Sequence, residues 1–200
     1  MVKHMAPKPA QKDEEATAAL RRHKMVEAAW LLLDEEGLAG LTVRAVLART
    51  GLARRAFYDL FDSKDDLMLA VFERSLRAAA DYFSSQIINH PDAISRLRLI
   101  VYAIVLGRAS ISGQQHWEKS RRSAALAREH LRLAETRPKD LERAIAPLIN
   151  VIAEILRCGM ADGSIRTTEP QHLALLVYNL ISTTVHGELL AEELGQPSLD

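Results

Sequence analysis

A chain of 200 residues, 48% hydrophobic and 26% charged, carries enough apolar material for a packed core, which excludes a disordered chain. Its 26 basic and 26 acidic residues cancel, so any attraction for a polyanion has to be local rather than global. The single cysteine, Cys158, excludes an intramolecular disulfide, argues against a cysteine-based zinc centre and fits a reducing cytoplasm.

Period-2 runs of β-branched residues are absent and helix-period runs recur throughout, so the expected fold class is all-α. The N-terminal "MVKHMAPKPAQKDEEA" lacks the apolar segment of a secretory signal. Residues 1–15 read as a flexible basic arm, either a disordered tail or an arm that touches DNA phosphates. A first helix is expected over about Ala16–Glu36, with Val26, Ala29, Trp30 and Leu33 on one face and Gly37 as its stop. Thr42 is a good N-cap for a short helix to about Arg49. Gly51 supplies the turn into a third helix over about Ala53–Phe61. Ser63 caps a longer fourth helix, with Asp65 and Asp66 in its first turn, where the helix dipole favours acid. Leu67, Val71, Leu76 and Phe83 are its expected inward residues, and "NHPD" breaks it at Asn89–Asp92. Further helices are expected over about Ala93–Leu106, Gln115–Ala134, Lys139–Gly159 and Pro170–Glu193. In the last, Leu173, Leu176, Val177, Leu180, Ile181 and Thr184 follow helical spacing as one wide apolar face. No stretch approaches the roughly 20 apolar residues that span a bilayer; the richest, Leu97–Leu106, contains Arg98.

The segment "TVRAVLARTGLARRAFYDLFDSK", Thr42–Lys64, concentrates charge: five basic against two acidic residues, a local excess of +3. Helix, glycine turn, helix is the helix-turn-helix plan. Val46, Leu52, Phe57 and Leu60 would hold the two helices together, leaving Arg54, Arg55, Tyr58 and Asp59 outward. Arg54 and Tyr58 share a face at i, i+4, as do Arg55 and Asp59, which are expected to pair. Arg54 and Arg55 can each offer a bidentate fork to guanine, and Tyr58 can donate to a phosphate. Thr42 and Lys64 lie near helix N-termini, where main-chain amides also favour phosphate. Spacing alone leaves two readings open, a DNA reader and a helical hairpin with a solvated basic face.

The order of residues in "GLAGLTVRAVLARTGLARRAFYDLFDSKDDLMLAVF" resembles the N-terminal region of the tetracycline-repressor (TetR) family of bacterial transcription regulators. Thr42, Val46, Gly51, Tyr58, Phe61, Ser63, Lys64 and Leu67 fall at the family's spacings without a gap. The resemblance implies a helix-turn-helix DNA-binding domain over residues 16–62 and a helical regulatory and dimerisation domain over 63–200. It implies a homodimer on double-stranded operator DNA, released by a small-molecule effector; no cofactor, metal or membrane partner is expected, and the expected location is the cytoplasm. Thr42, Tyr58 and Lys64 would contact phosphates, and Arg44, Arg54 and Arg55 would contact phosphates or bases. Three positions depart from the pattern. Leu47 stands where a small alanine is common, so the helix pair is expected to be slightly splayed. Asp59 stands where a neutral side chain or histidine is common. The chain stops at Asp200, one helix short of the family pattern; either it is truncated or its dimer interface rests on Pro170–Glu193 and its neighbours.

In the second half Tyr102, Trp117, Asn150 and Tyr178 each join a flat or apolar body to a hydrogen-bonding group, the mixture a ligand pocket uses. Each fits ordinary packing as well. His116, His130, His172 and His186 are scattered, and neither an H-E-x-x-H nor a pair of E-x-x-H elements occurs, which disfavours a zinc protease or a di-iron bundle. No G-x-S-x-G element or other nucleophile–base set is present, so the chain is not expected to be an enzyme. A constitutive DNA binder without an effector, and a helical ligand-binding protein or enzyme whose basic helix is only surface, remain the alternatives.

Overall fold

A computed structural model describes residues 9–105 and 121–193. Eight α-helices account for most of them: α1 (Pro9–Gly40), α2 (Val43–Thr50), α3 (Arg54–Tyr58), α4 (Lys64–Gln86), α5 (Ala93–Val105), α6 (Arg121–Thr136), α7 (Pro138–Ala161) and α8 (Pro170–Glu193). A single 3-10 turn, Ile87–Asn89, follows α4. Among the described residues there is no strand. The fold is all-α, as the sequence predicts. Contacts divide the chain into two units, one ending at Val71 and the other beginning at Phe72, so the division falls within α4.

In the first unit the expected stop at Gly37 appears as a break within α1, where φ is 69° and ψ is −163°. That backbone region is open in practice only to glycine. Thr42 caps α2: its hydroxyl oxygen accepts from the Ala45 amide at 3.1 Å. Gly51 ends α2 in the left-handed region, φ 68°, and its N–H donates to the Leu47 carbonyl at 2.9 Å. Ser63 and Asp66 form a reciprocal cap on α4. The Asp66 amide donates to Ser63 Oγ at 3.2 Å, and Ser63 Oγ donates to Asp66 Oδ2 at 2.7 Å. These caps satisfy amides that the first helical turn leaves without partners. The core of this unit is Met25, Ala29, Leu33, Leu41, Val46, Phe57, Leu67 and Val71, all fully buried. Leu52 and Leu60 are half-buried beside it.

In the second unit α7 is the central helix. Its inward face carries Ile145, Leu148, Ile149, Ile152, Ile155 and Leu156, all buried, and α5, α6 and α8 pack against it. Among the described residues it is the helix long and apolar enough to cross a membrane. This corrects the expectation that no stretch approaches such a length, with Leu97–Leu106 the richest. The apolar content of α7 is explained by burial against three neighbouring helices. Gly159 lets the end of α7 approach closely: a Cβ there would lie 2.8 Å from Ala93 Cβ and 2.6 Å from Ile165 Cδ1. Asp92 caps α5, accepting from the Ser95 amide at 2.8 Å and from the Ser95 hydroxyl at 2.7 Å.

The apolar residues of α8 do not form the single face expected from spacing. Ala174, Tyr178 and Ile181 are buried, whereas Leu176 and Leu180 are 59% and 71% exposed. Two residues along a helix turn it through about 200°, so Leu176 and Leu180 sit opposite Ala174 and Tyr178. The helix is apolar on two sides, one facing its own unit and one facing outward.

Candidate nucleic-acid interface and cavity

Helix α3 has only five residues, too few to be stable alone. Phe57 holds it. Its ring is fully buried, stacks at a tilt with Phe61 at 5.5 Å and meets Tyr58 edge-on at 5.3 Å. Burying Phe57 turns Arg54, Arg55, Tyr58 and Asp59 outward, all exposed. Arg54 lies along Tyr58: its Nη2 is 3.4 Å from the Tyr58 hydroxyl and its Cζ is 5.7 Å from the ring centroid. The pair is therefore presented as one unit, a guanidinium beside a phenol. Arg22 approaches the ring of Phe61 at 4.8 Å in the same unit.

Thr42, Arg44 and Lys64 are exposed as well. A hydroxyl has one donor and two acceptor positions. Because Thr42 Oγ1 accepts from the Ala45 amide, its hydrogen is available to a phosphate oxygen. Lys64 is the first residue of α4, where the dipole adds to the attraction for an anion.

Two features of this surface were not read from the sequence. Arg49, counted there among the basic cluster, donates from Nη2 to both carboxylate oxygens of Glu35, at 2.9 and 2.7 Å. It spends its charge tying α2 to α1. The partners are 14 residues apart, so no spacing rule reveals the pair. The expected pairing of Arg55 with Asp59 is not formed: among the described residues no ion pair joins them. Asp59 instead caps α3 through its main chain, its N–H donating to the Arg55 carbonyl at 3.0 Å. An exposed i, i+4 pair gains only about 0.3–0.5 kcal/mol, too little to hold two solvated side chains together.

The second unit holds a partly open cavity of about 140 Å³. Phe72, Leu76 and Phe83 of α4, Leu126 of α6, Leu148 of α7 and Ile181 of α8 form its apolar walls, and Ser75, Ser123, Ser182 and Tyr178 are the hydroxyl-bearing residues of its lining. The Tyr178 hydroxyl lies 3.2 Å from His130 Nδ1, and the His130 ring sits between Tyr178, at 5.7 Å, and Phe72, at 6.3 Å. Burial pushes the Tyr178 phenol well above its ordinary pKa. Burial, and secondarily the neighbouring His186, lowers that of His130. Both side chains are thus neutral near pH 7.

Of the four residues expected at a ligand pocket, Tyr178 lines this cavity. Tyr102 is exposed on α5 and lines a separate, open pocket of about 390 Å³ with Tyr82, His90 and Arg98. Asn150 is exposed on α7, where its Oδ1 accepts from Gln171 Nε2 at 3.3 Å. Trp117 lies outside the described residues. The sequence reading left His130 and His186 as scattered histidines. His130 is 48 residues from Tyr178, and only the packing of α6 on α8 joins them. Among the described residues no cluster of three His, Cys, Asp or Glu side chains has metal-binding geometry.

Residues 25–71 match the family model described as bacterial regulatory proteins, tetR family. No curated protein matches the sequence. Solved structures share the fold at low identity. A fatty acid degradation regulator, FadR, from Bacillus halodurans superposes with a TM-score of 0.65 at 15% identity, covering 94% of this chain and 88% of that one. A transcriptional regulator FadR from Bacillus subtilis, in complex with stearoyl-CoA, gives 0.59 at 16%, covering 86% and 88%. A transcriptional regulator from Saccharomonospora viridis, described as putative and in complex with choline, gives 0.62 at 20%, covering 86% of each.

Proposed function

We propose, from the match of residues 25–71 to the family model of bacterial regulatory proteins, tetR family, that this chain is a homodimeric transcriptional repressor released from its operator by a small molecule. Residues 16–62 read double-stranded DNA, and residues 63–200 pair two copies and take the effector. The observation that carries the DNA reading is the outward row of Arg54, Arg55 and Tyr58, fixed from beneath by a fully buried Phe57. Thr42, Arg44 and Lys64 flank it as phosphate contacts. In a dimer the two α3 helices would enter successive major grooves about 34–36 Å apart.

The effector reading is supported by a cavity within the second unit and by two fold neighbours whose structures hold stearoyl-CoA and choline. Effector binding would favour a second arrangement of the reading heads. A coupling of about 1–3 kcal/mol changes operator affinity roughly 5–150-fold.

Titration on operator fragments selected from genomic DNA, and on random duplexes, tests the assignment. Arg54→Ala and Arg55→Ala are expected to weaken operator binding more than random binding, by about 1–3 kcal/mol where a base contact is lost. Lys64→Ala should weaken both alike and reduce the salt slope by about one. Equal losses on both duplexes for all three variants would remove the role assignment. A constitutive binder would show the same salt behaviour and no response to any small molecule.

A further inference from the structure

From the size and lining of the cavity we infer that it takes an uncharged, single-ring organic molecule bearing one hydroxyl-type group, which exchanges a hydrogen bond with Tyr178. This rests on the reading that the helices after Val71 hold an effector, and it specifies the chemistry of that effector.

Size comes first. The cavity measures about 140 Å³, and an apolar cavity of about 150 Å³ takes a benzene-sized molecule. A long acyl chain exceeds that volume and would have to run out through the open side of the cavity. Charge comes second. Every lining side chain among the described residues is uncharged. A carboxylate, phosphate or ammonium entering it would lose hydration without gaining a counter-ion, a strongly unfavourable exchange. The ligands seen in the two fold neighbours, stearoyl-CoA and choline, both carry charge, so the lining among the described residues favours a different class.

The polar end comes third. Tyr178 shares one hydrogen bond with His130, and a phenolic hydroxyl has one donor and two acceptor positions. If Tyr178 donates to His130 Nδ1, its oxygen still accepts. If Nδ1–H donates to Tyr178, the phenol hydrogen is still available. Either tautomer leaves one complementary position, and a ligand hydroxyl, which both donates and accepts, suits both. His186, one turn beyond the cavity-lining Ser182, has a buried Nδ1 without a hydrogen-bond partner. Such atoms are rare in folded proteins, and this one lies close enough to His130 to act on its charge.

The test uses the full chain with 4-methylphenol, toluene, benzoate and choline as probes, read by calorimetry and by thermal shift. We expect saturable binding of 4-methylphenol, about tenfold tighter than toluene, the difference one hydrogen bond makes. Tyr178→Phe keeps the ring and should bring the two to near equality by weakening 4-methylphenol. Ala79→Leu, which adds bulk to the wall, should abolish both. Benzoate and choline should not bind at pH 7.5. Binding of benzoate or choline as tight as that of 4-methylphenol overturns the inference. So does 4-methylphenol binding that Ala79→Leu leaves intact, or no saturable binding at all. Operator retention measured alongside separates the two readings. If 4-methylphenol binds as described without releasing DNA, the cavity chemistry stands and the effector role fails. If choline releases DNA while 4-methylphenol does not bind, the effector role stands and this chemistry fails.

Discussion

Tyr58 owes its position to its neighbours on both sides: the buried Phe57 ring meets it edge-on, and the Arg54 guanidinium lies along it. Removing only its hydroxyl isolates the contact from the packing. Tyr58→Phe is expected to lower DNA affinity about 3–10-fold, the worth of one hydrogen bond, with Tm unchanged because the ring stays. A drop in Tm equal to that of a core variant would show that the hydroxyl serves the fold instead. His130 gives a residue-scale prediction in the other unit. Burial, aided by His186, lowers its pKa, so the folded state binds protons less readily than the unfolded chain. Its contribution is therefore full above the unfolded value of about 6.5 and is lost as pH falls through the lower folded value. Tm should decline between about pH 7 and pH 5, and His130→Gln should flatten that decline. A slope unchanged by the substitution would assign it to other groups.

At the scale of elements, α3 depends on tertiary packing because five residues cannot sustain a helix. Phe57→Ala should destabilise the first unit by about 3–5 kcal/mol, the range for large buried aromatics, seen as a shifted denaturant midpoint. At the end of α7 the close approach of Gly159 to Ala93 makes the opposite error costly. Gly159→Val should destabilise by about 1–3 kcal/mol through overpacking, although valine is the better helix former. An unchanged midpoint would mean that the α5 terminus yields freely. The helices were legible because their ends are written locally: Thr42, Gly51, Ser63 and Pro170 each mark a boundary through their own backbone chemistry. The last helix is found over Pro170–Glu193, the range its sequence indicates. The faces were less legible, because α8 is apolar on two sides and spacing cannot say which side a single chain buries. Across the sites, the outward row on α3 followed from periodicity. The Arg49–Glu35 tie and the Tyr178–His130 pair did not, since each joins helices through packing that sequence distance conceals. The Arg55–Asp59 pairing is absent for a simpler reason: an exposed i, i+4 ion pair gains too little to hold two solvated side chains together.

For the whole molecule the outward leucines of α8 are the feature with the widest reach. In the proposed dimer a symmetric contact would cover four of them, Leu176 and Leu180 from each copy, worth roughly 4–8 kcal/mol at their present exposure. Association itself loses about 4–15 kcal/mol of translational and rotational freedom, so the stripe is decisive without being sufficient. Leu176→Glu combined with Leu180→Glu should convert the dimer to a monomer in sedimentation analysis while helicity stays constant. A dimer that survives both substitutions would place the pairing surface elsewhere. A contact of this modest worth leaves pairing incomplete when chains are scarce. Below the dimer's dissociation constant, the concentration of the DNA-reading species rises with the square of the number of chains. Halving the cell's stock of this protein would then remove about three quarters of the assembled readers. If the chain is the proposed regulator, its promoter would respond to dilution by growth without synthesis as well as to a ligand, and the exposed leucines would set the threshold.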